Sequence, residues 1–132
     1  MNGKEVQLQV MYYLSRLDGN NWEDAWHSLV ELGSAALPCI REAYHCAADD
    51  RRRVLLIQVL AELRNEESFA LFGEALHSSS SEVWKAALDA LVSLGGSAAT
   101  ELLRTAEAKV PAERRGWIRE ALQQITQSNL TK

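Results

Sequence analysis

The chain has 132 residues, of which 47% are hydrophobic and 24% charged, and its formal net charge is −4. That length fits one domain, and the apolar share excludes a disordered chain. The acidic balance argues against general nucleic-acid binding, which needs a net basic footprint, and suits a basic protein partner.

Ala, Leu, Glu and Arg recur throughout and only two prolines interrupt them, so the chain reads as all-α. Helix 1 is predicted over Gly3–Leu17, with Val6, Val10, Tyr13, Leu14 and Leu17 on one face. Asp18-Gly19-Asn20-Asn21 ends it and caps the next. Helix 2 covers Trp22–Leu32 and stops at Gly33. Helix 3 opens at Ser34, turns Leu37, Ile40 and Tyr44 inward, and carries Pro38 in its first turn, where a missing N–H costs least. Asp49 and Asp50 lead into helix 4, Arg51–Leu63. Asn65-Glu66-Glu67 opens helix 5, acidic at the positive end of its dipole, with Phe69, Phe72 and Leu76 as core residues. The serines Ser78–Ser81 cap helix 6, Glu82–Leu94, and Gly95-Gly96 turns the chain. Helix 7, Ser97–Lys109, buries Leu102, Leu103 and Ala106. Pro111 starts helix 8, which gives way to a polar tail, Gln127–Lys132.

The helices are copies of a pattern. Leu29, Leu60, Leu91 and Leu122 follow one another at 31 residues (60−29, 91−60, 122−91). Leu32, Leu63, Leu94 and Ile125 keep the same step, and so do Ala25, Leu56, Ala87 and Ile118. An apolar triplet at i, i+4, i+7 that recurs at one period is the mark of a stacked helical array. The chain is therefore read as one domain of eight helices. Residues 1–20 form an N-terminal capping helix, 21–48, 49–80 and 81–110 are repeats, and 111–127 is a C-terminal capping helix. Gln123, Gln124 and Gln127 give the last helix a polar outer side. No stretch resembles a signal peptide or a membrane span. Cys39 and Cys46 are two helical turns apart, roughly 10 Å, too far for a disulfide, and read as free thiols in a reducing cytoplasm.

Val83-Trp84-Lys85-Ala86-Ala87-Leu88-Asp89-Ala90-Leu91-Val92-Ser93-Leu94-Gly95 resembles the short HEAT-like repeat of phycobilisome-lyase-type proteins. That pattern runs Val-Arg-x-x-Ala-Ala-x-Ala-Leu-x-x-Leu-Gly. Asp50–Leu63, Trp22–Gly33 and Arg115–Ile125 follow it more loosely. The resemblance implies a right-handed α-solenoid of about three and a half helix pairs, with the odd-numbered helices lining a concave face. It also implies an arginine that ties neighbouring repeats, at a position held here by Trp22, Arg53, Trp84 and Arg115. An indole there would fill the same groove by packing.

Outward positions on helices 3, 5 and 7 stack as Pro38, Ala70 and Glu101; Arg41, Gly73 and Arg104; Glu42, Glu74 and Thr105; and His45, His77 and Ala108. Arg41, Glu42, His45, Glu74, His77, Glu101 and Arg104 are the partner-contact residues expected from this stacking. For each residue singly, a solvated polar face is the simpler account. The spacing of His27, His45, His77, Cys39 and Cys46 matches no metal site. No nucleophile–base pair or Gly-x-Ser-x-Gly frames a catalytic group. Neither an enzyme nor a cofactor is expected. Arg51-Arg52-Arg53 and Arg114-Arg115 sit in register, but Asp49, Asp50 and Glu113 neutralise that strip. The function that follows is non-catalytic protein binding by a cytoplasmic monomer, in its sharper form a small bacterial immunity protein that inhibits a basic toxin. The alternatives are a lyase-like, chromophore-handling enzyme subunit and a HEAT-like nucleic-acid repair protein. The register predicts that Leu60→Ala or Leu91→Ala lowers stability by roughly 2–5 kcal/mol in urea unfolding, as buried leucine truncations do; a change near zero would contradict it.

Overall fold

In the computed structural model, which describes residues 2–130, the repeated triplets are buried largely as their period requires. Ala25, Leu56, Ala87 and Ile118 are buried, as are Leu29, Leu60 and Leu91, while Leu32, Leu63 and Leu94 are half-buried. The helices that carry them are α2, Trp22–Leu32; α4, Asp50–Leu63; α6, Ser81–Leu94; and α8, Ala112–Leu130. Between them run α1, Gly3–Ser15; α3, Leu37–Cys46; α5, Phe69–Ala75; and α7, Gly96–Glu107. No strand occurs among the described residues. In α8 the last two triplet positions exchange environments, Leu122 being half-buried and Ile125 buried.

The chain sorts into two compact units, Met1–Asn65 and Glu66–Lys132. In the first, α1 packs on α2 and α3, α2 on α4, and α3 on α4. In the second, α5 packs on α6 and α7, α6 on α8, and α7 on α8. Each unit is thus two layers of two helices, even-numbered against odd-numbered. Both N-terminal caps of the first unit that use a side chain are as the residue types suggest. The Asn2 side chain accepts from Glu5 N at 2.9 Å, and Asp49 from Arg52 N at 2.8 Å. Each satisfies one orphan donor of a first turn. The serine run behaves differently from expectation. Ser80 occupies the cap of α6 without a side-chain bond to the helix. Instead Ser80 N donates to Ser78 Oγ at 3.1 Å, a local turn that competes with capping.

Several expected boundaries move: helix 1 ends at Ser15 rather than Leu17, and helix 7 at Glu107 rather than Lys109. Helix 3 begins with a 3-10 turn, Gly33–Ala36, before α3 proper, and helix 5 with another, Glu66–Ser68. The second turn shortens α5 to two turns, so full-length helices of ten residues or more number seven among the described residues. Helix 8 does not stop at Gln127 but continues to Leu130.

Positive φ angles explain where the even helices stop. Gly33, Arg64 and Gly95 follow one another at the repeat period and have φ of 71°, 50° and 62°. Gly33 and Gly95 also have ψ near −160° (−159° and −163°), a region open essentially to glycine alone. There the chain passes straight into the next helical segment. After α4 an extra residue, Asn65, relieves the turn, and Arg64 takes the milder left-handed conformation at φ 50°, ψ 39°. The next position in the series is Thr126. Its hydroxyl donates to Leu122 O at 3.0 Å inside the helix, and α8 runs on. Gly95→Ala is expected to lower stability by about 1–3 kcal/mol, whereas Arg64→Gly is expected to raise it by about 1 kcal/mol by removing left-handed strain from a side-chain-bearing residue. Thermal unfolding of the two variants checks the opposed signs.

Candidate functional site

The arginines at the starts of α4 and α8 hold the ends of earlier helices. Arg52 Nη2 donates to Leu14 O at 2.6 Å, and Arg114 Nη1 donates to Leu76 O at 2.8 Å. Both bonds span 38 residues, and the two lie two repeat periods apart. A guanidinium at orphan carbonyls satisfies acceptors and matches the negative end of the helix dipole. The tying arginine is therefore Arg52 and Arg114, one position before the expected Arg53 and Arg115. Arg53 instead closes its own turn, donating to Ala47 O at 2.7 Å and to Asp50 at 2.9 Å.

The tryptophans at the expected arginine position do fill space. Trp84 is 7% exposed and meets the edge of Trp117 at 5.7 Å between ring centroids. Arg114 lies over its ring at 4.7 Å and Lys85 at 5.5 Å. Trp22 is half-buried with Arg51 over its ring at 6.0 Å. Each indole is thus covered by a cation from the first turn of the fourth helix in its unit.

The basic run in the first unit is neutralised by Asp50, as expected, and also by Asp18, which was not. Arg51 and Arg52 pair with Asp18 at 3.5 and 3.2 Å, and Arg53 with Asp50. Asp49 serves as a cap. Spread over Leu14 O, Leu17 O and Asp18, these guanidinium groups leave little of a phosphate-binding strip.

Of the expected contact residues, Glu42, His45, Glu74, His77, Glu101 and Arg104 are exposed, and Arg41 is half-buried. Glu42 and His45 lie on α3 in the first unit, turned away from its buried Leu37, Ile40 and Tyr44, while Arg41 borders that buried face. Glu74 on α5, His77 just after it, and Glu101 and Arg104 on α7 lie in the second. Gly73 is a correction. It faces α7, and a Cβ there would sit 3.1 Å from Leu102 Cδ2. The missing side chain lets the two helices approach, and Leu102, expected in the core, is half-buried against this contact. Phe69 is likewise half-buried.

Three surface features escaped the sequence reading. Leu8, Met11 and Tyr12 on α1 are 59%, 57% and 54% exposed and form an apolar stripe on an otherwise polar outer side. Trp117 is 48% exposed beside a groove between α6 and α8, with Lys85 Nζ over its ring at 4.5 Å. Arg104, Arg115 and Arg119 line an open cleft of about 390 Å³ between α7 and α8, with Glu107 as its one acid. A helical-hairpin argument would have found the last. Arg104 precedes the Ala108–Pro111 turn by as many residues as Arg115 follows it, so antiparallel packing sets them across from one another.

Both cysteines are free thiols, Cys39 half-buried and Cys46 exposed. No group of three His, Cys, Asp or Glu side chains able to hold a metal occurs among the described residues. No helix among them is long and apolar enough to cross a membrane.

Loss of the carbonyl tie is expected to cost about 1.5–3 kcal/mol in Arg114→Met, the range for hydrogen bonds to charged groups. Arg115→Met, an exposed change with no such bond, is expected to stay within about 0.5 kcal/mol. Urea unfolding of the pair measures the difference.

Compared with known proteins, residues 42–123 match the family model of HEAT repeats. No curated protein and no solved structure matches the chain.

Proposed function

The chain belongs to the HEAT-repeat family, and from that premise we propose that it is a protein-binding module without catalysis of its own. HEAT repeats generally mediate protein–protein interaction. The observation that carries the reading is the division of labour on α3, α5 and α7. Each buries one apolar stripe and leaves charged or imidazole side chains to solvent: Glu42 and His45, Glu74, and Glu101 with Arg104. In the proposed architecture the repeats continue as a right-handed solenoid whose concave face gathers these residues with Arg41 and His77. A rigid helical face loses little conformational entropy on binding.

In its finer form the partner is a basic protein, and the module acts by covering that protein's working surface, as a toxin inhibitor does. The formal charge of −4 supports this by favouring encounter with a cation-rich surface. Glu42 and Glu101 are exposed carboxylates that would face it.

Charge reversal tests the face. The double variant Glu42→Lys/Glu101→Lys is expected to keep its helical circular dichroism and melting temperature. It is also expected to lose the stoichiometric protein that the parent captures from lysate, read by mass spectrometry. Capture at undiminished yield would move the binding surface off these helices.

A further inference from the structure

The cleft between α7 and α8 is basic on an acidic protein. Three guanidinium groups, Arg104, Arg115 and Arg119, face one carboxylate, Glu107, in a chain of formal charge −4. Arg115 and Arg119 are one turn apart on α8, where like charges repel, and Arg104 brings a third from α7. In the first unit the corresponding problem is solved within the unit: Arg51 and Arg52 share Asp18, and Arg53 has Asp50. In this cleft it is solved once. Glu107 Oε1 accepts from Arg119 Nε at 2.6 Å. No acid pairs with Arg104 or Arg115 among the described residues, both are exposed, and the Nη donors of Arg119 remain unclaimed.

Arg104 lies in the last turn of α7, where a cation suits the helix dipole, but no hydrogen bond among the described residues holds it or Arg115 in the cleft. Neither Arg104 nor Arg115 supports a helix end in the way Arg52 and Arg114 do, and truncating them removes no internal bond. Guanidinium forks match carboxylates in plane and in two-point geometry, which lysines cannot do. The cleft's volume, about 390 Å³, is at the small end of the range for ligand sites. It is open and charged rather than enclosed and apolar, so it suits a segment lying on the surface.

We propose that the α7–α8 cleft binds an acidic segment of a partner protein, whose carboxylates take Arg104, Arg115 and the free donors of Arg119. The inference rests on the protein-binding reading above and adds to it an oppositely charged contact, which shares Arg104 with that face. A partner would then be gripped through bases at the odd-numbered helices and through acids at this cleft. Such a two-sign pattern fixes register and rejects partners of uniform charge.

The test uses the full chain and a fluorescein-labelled oligoglutamate peptide, followed by anisotropy. The parent is expected to bind it with steep salt dependence. Arg104→Gln/Arg115→Gln leaves the Glu107–Arg119 bond in place and is expected to bind about tenfold or more weakly, with an unchanged melting temperature. Glu107→Gln is expected to bind more tightly, because it removes the carboxylate that competes with the ligand; a purely structural role for Glu107 would weaken binding instead. Three outcomes overturn the inference: equal binding by the double arginine variant, equal binding of an oligoglutamine peptide, or tighter binding of short duplex DNA than of oligoglutamate. If Arg104→Gln/Arg115→Gln changes nothing while Glu42→Lys/Glu101→Lys still abolishes partner capture, the acidic-segment site falls and the protein-binding reading stands.

Discussion

A helix pair of this length carries more apolar surface than its two members can hide from each other. That constraint organises the molecule. Each even-numbered helix presents a triplet such as Ala87, Leu91 and Leu94 that needs an odd-numbered neighbour and another even-numbered one. The two-layer units answer it directly, α2 on α4 and α6 on α8, with α3 and α7 bridging. Burial of this kind scales with apolar area, at about 25 cal/mol per Å², and each further helix adds to it. Within each unit, stability is then a sum over neighbouring helices. The turns follow from the same demand. Successive helices must reverse direction within a residue or two, which forces glycine into its private region at Gly33 and Gly95.

Charge is distributed by a second rule. Arginines near helix starts are used where earlier helices end, so Arg52 and Arg114 meet carbonyls and Asp18 gathers two guanidinium groups. What remains unspent is informative. The first unit consumes its basic run internally, while the second keeps Arg104 and Arg115 facing solvent in a cleft. A formal net charge therefore describes this protein poorly as a target for partners; the sign of the surface changes between its helices.

The register of the even helices was legible because burial imposes it on residue type every 31 positions. Leu29, Leu60 and Leu91 are all fully buried. Odd helices were less legible, because their sequence must serve both packing and solvent. Gly73 sits in a column with Arg41 and Arg104 and so read as outward, yet the reason for glycine is backbone proximity to Leu102. The starts of α3 and α5 shifted because a 3-10 turn and an α-turn use the same residues with different bonding partners. The tying arginine was misplaced by one residue for a similar reason. Arg51, Arg52 and Arg53 are adjacent, and only the reach of each side chain distinguishes Leu14 O from Ala47 O. Of the expected contact residues, exposure was legible from the pattern, whereas the company they keep depended on helix packing. Arg104 acquired Arg115 and Arg119 as neighbours only once α7 and α8 were folded together.

The paired arginine–carbonyl bonds also bear on the order of assembly. Most contacts that build each unit join adjacent helices and close short loops, which is the topology of rapid folding. The bond from Arg52 to Leu14 closes a loop of 38 residues, and so does that from Arg114 to Leu76. Loop closure of that span costs entropy that a single hydrogen bond does not offset alone. The helix hairpins therefore form ahead of the bond, and the arginine arrives last, as a latch on a unit already collapsed. Each latch begins and ends inside one unit, so each fastens the unit that carries it.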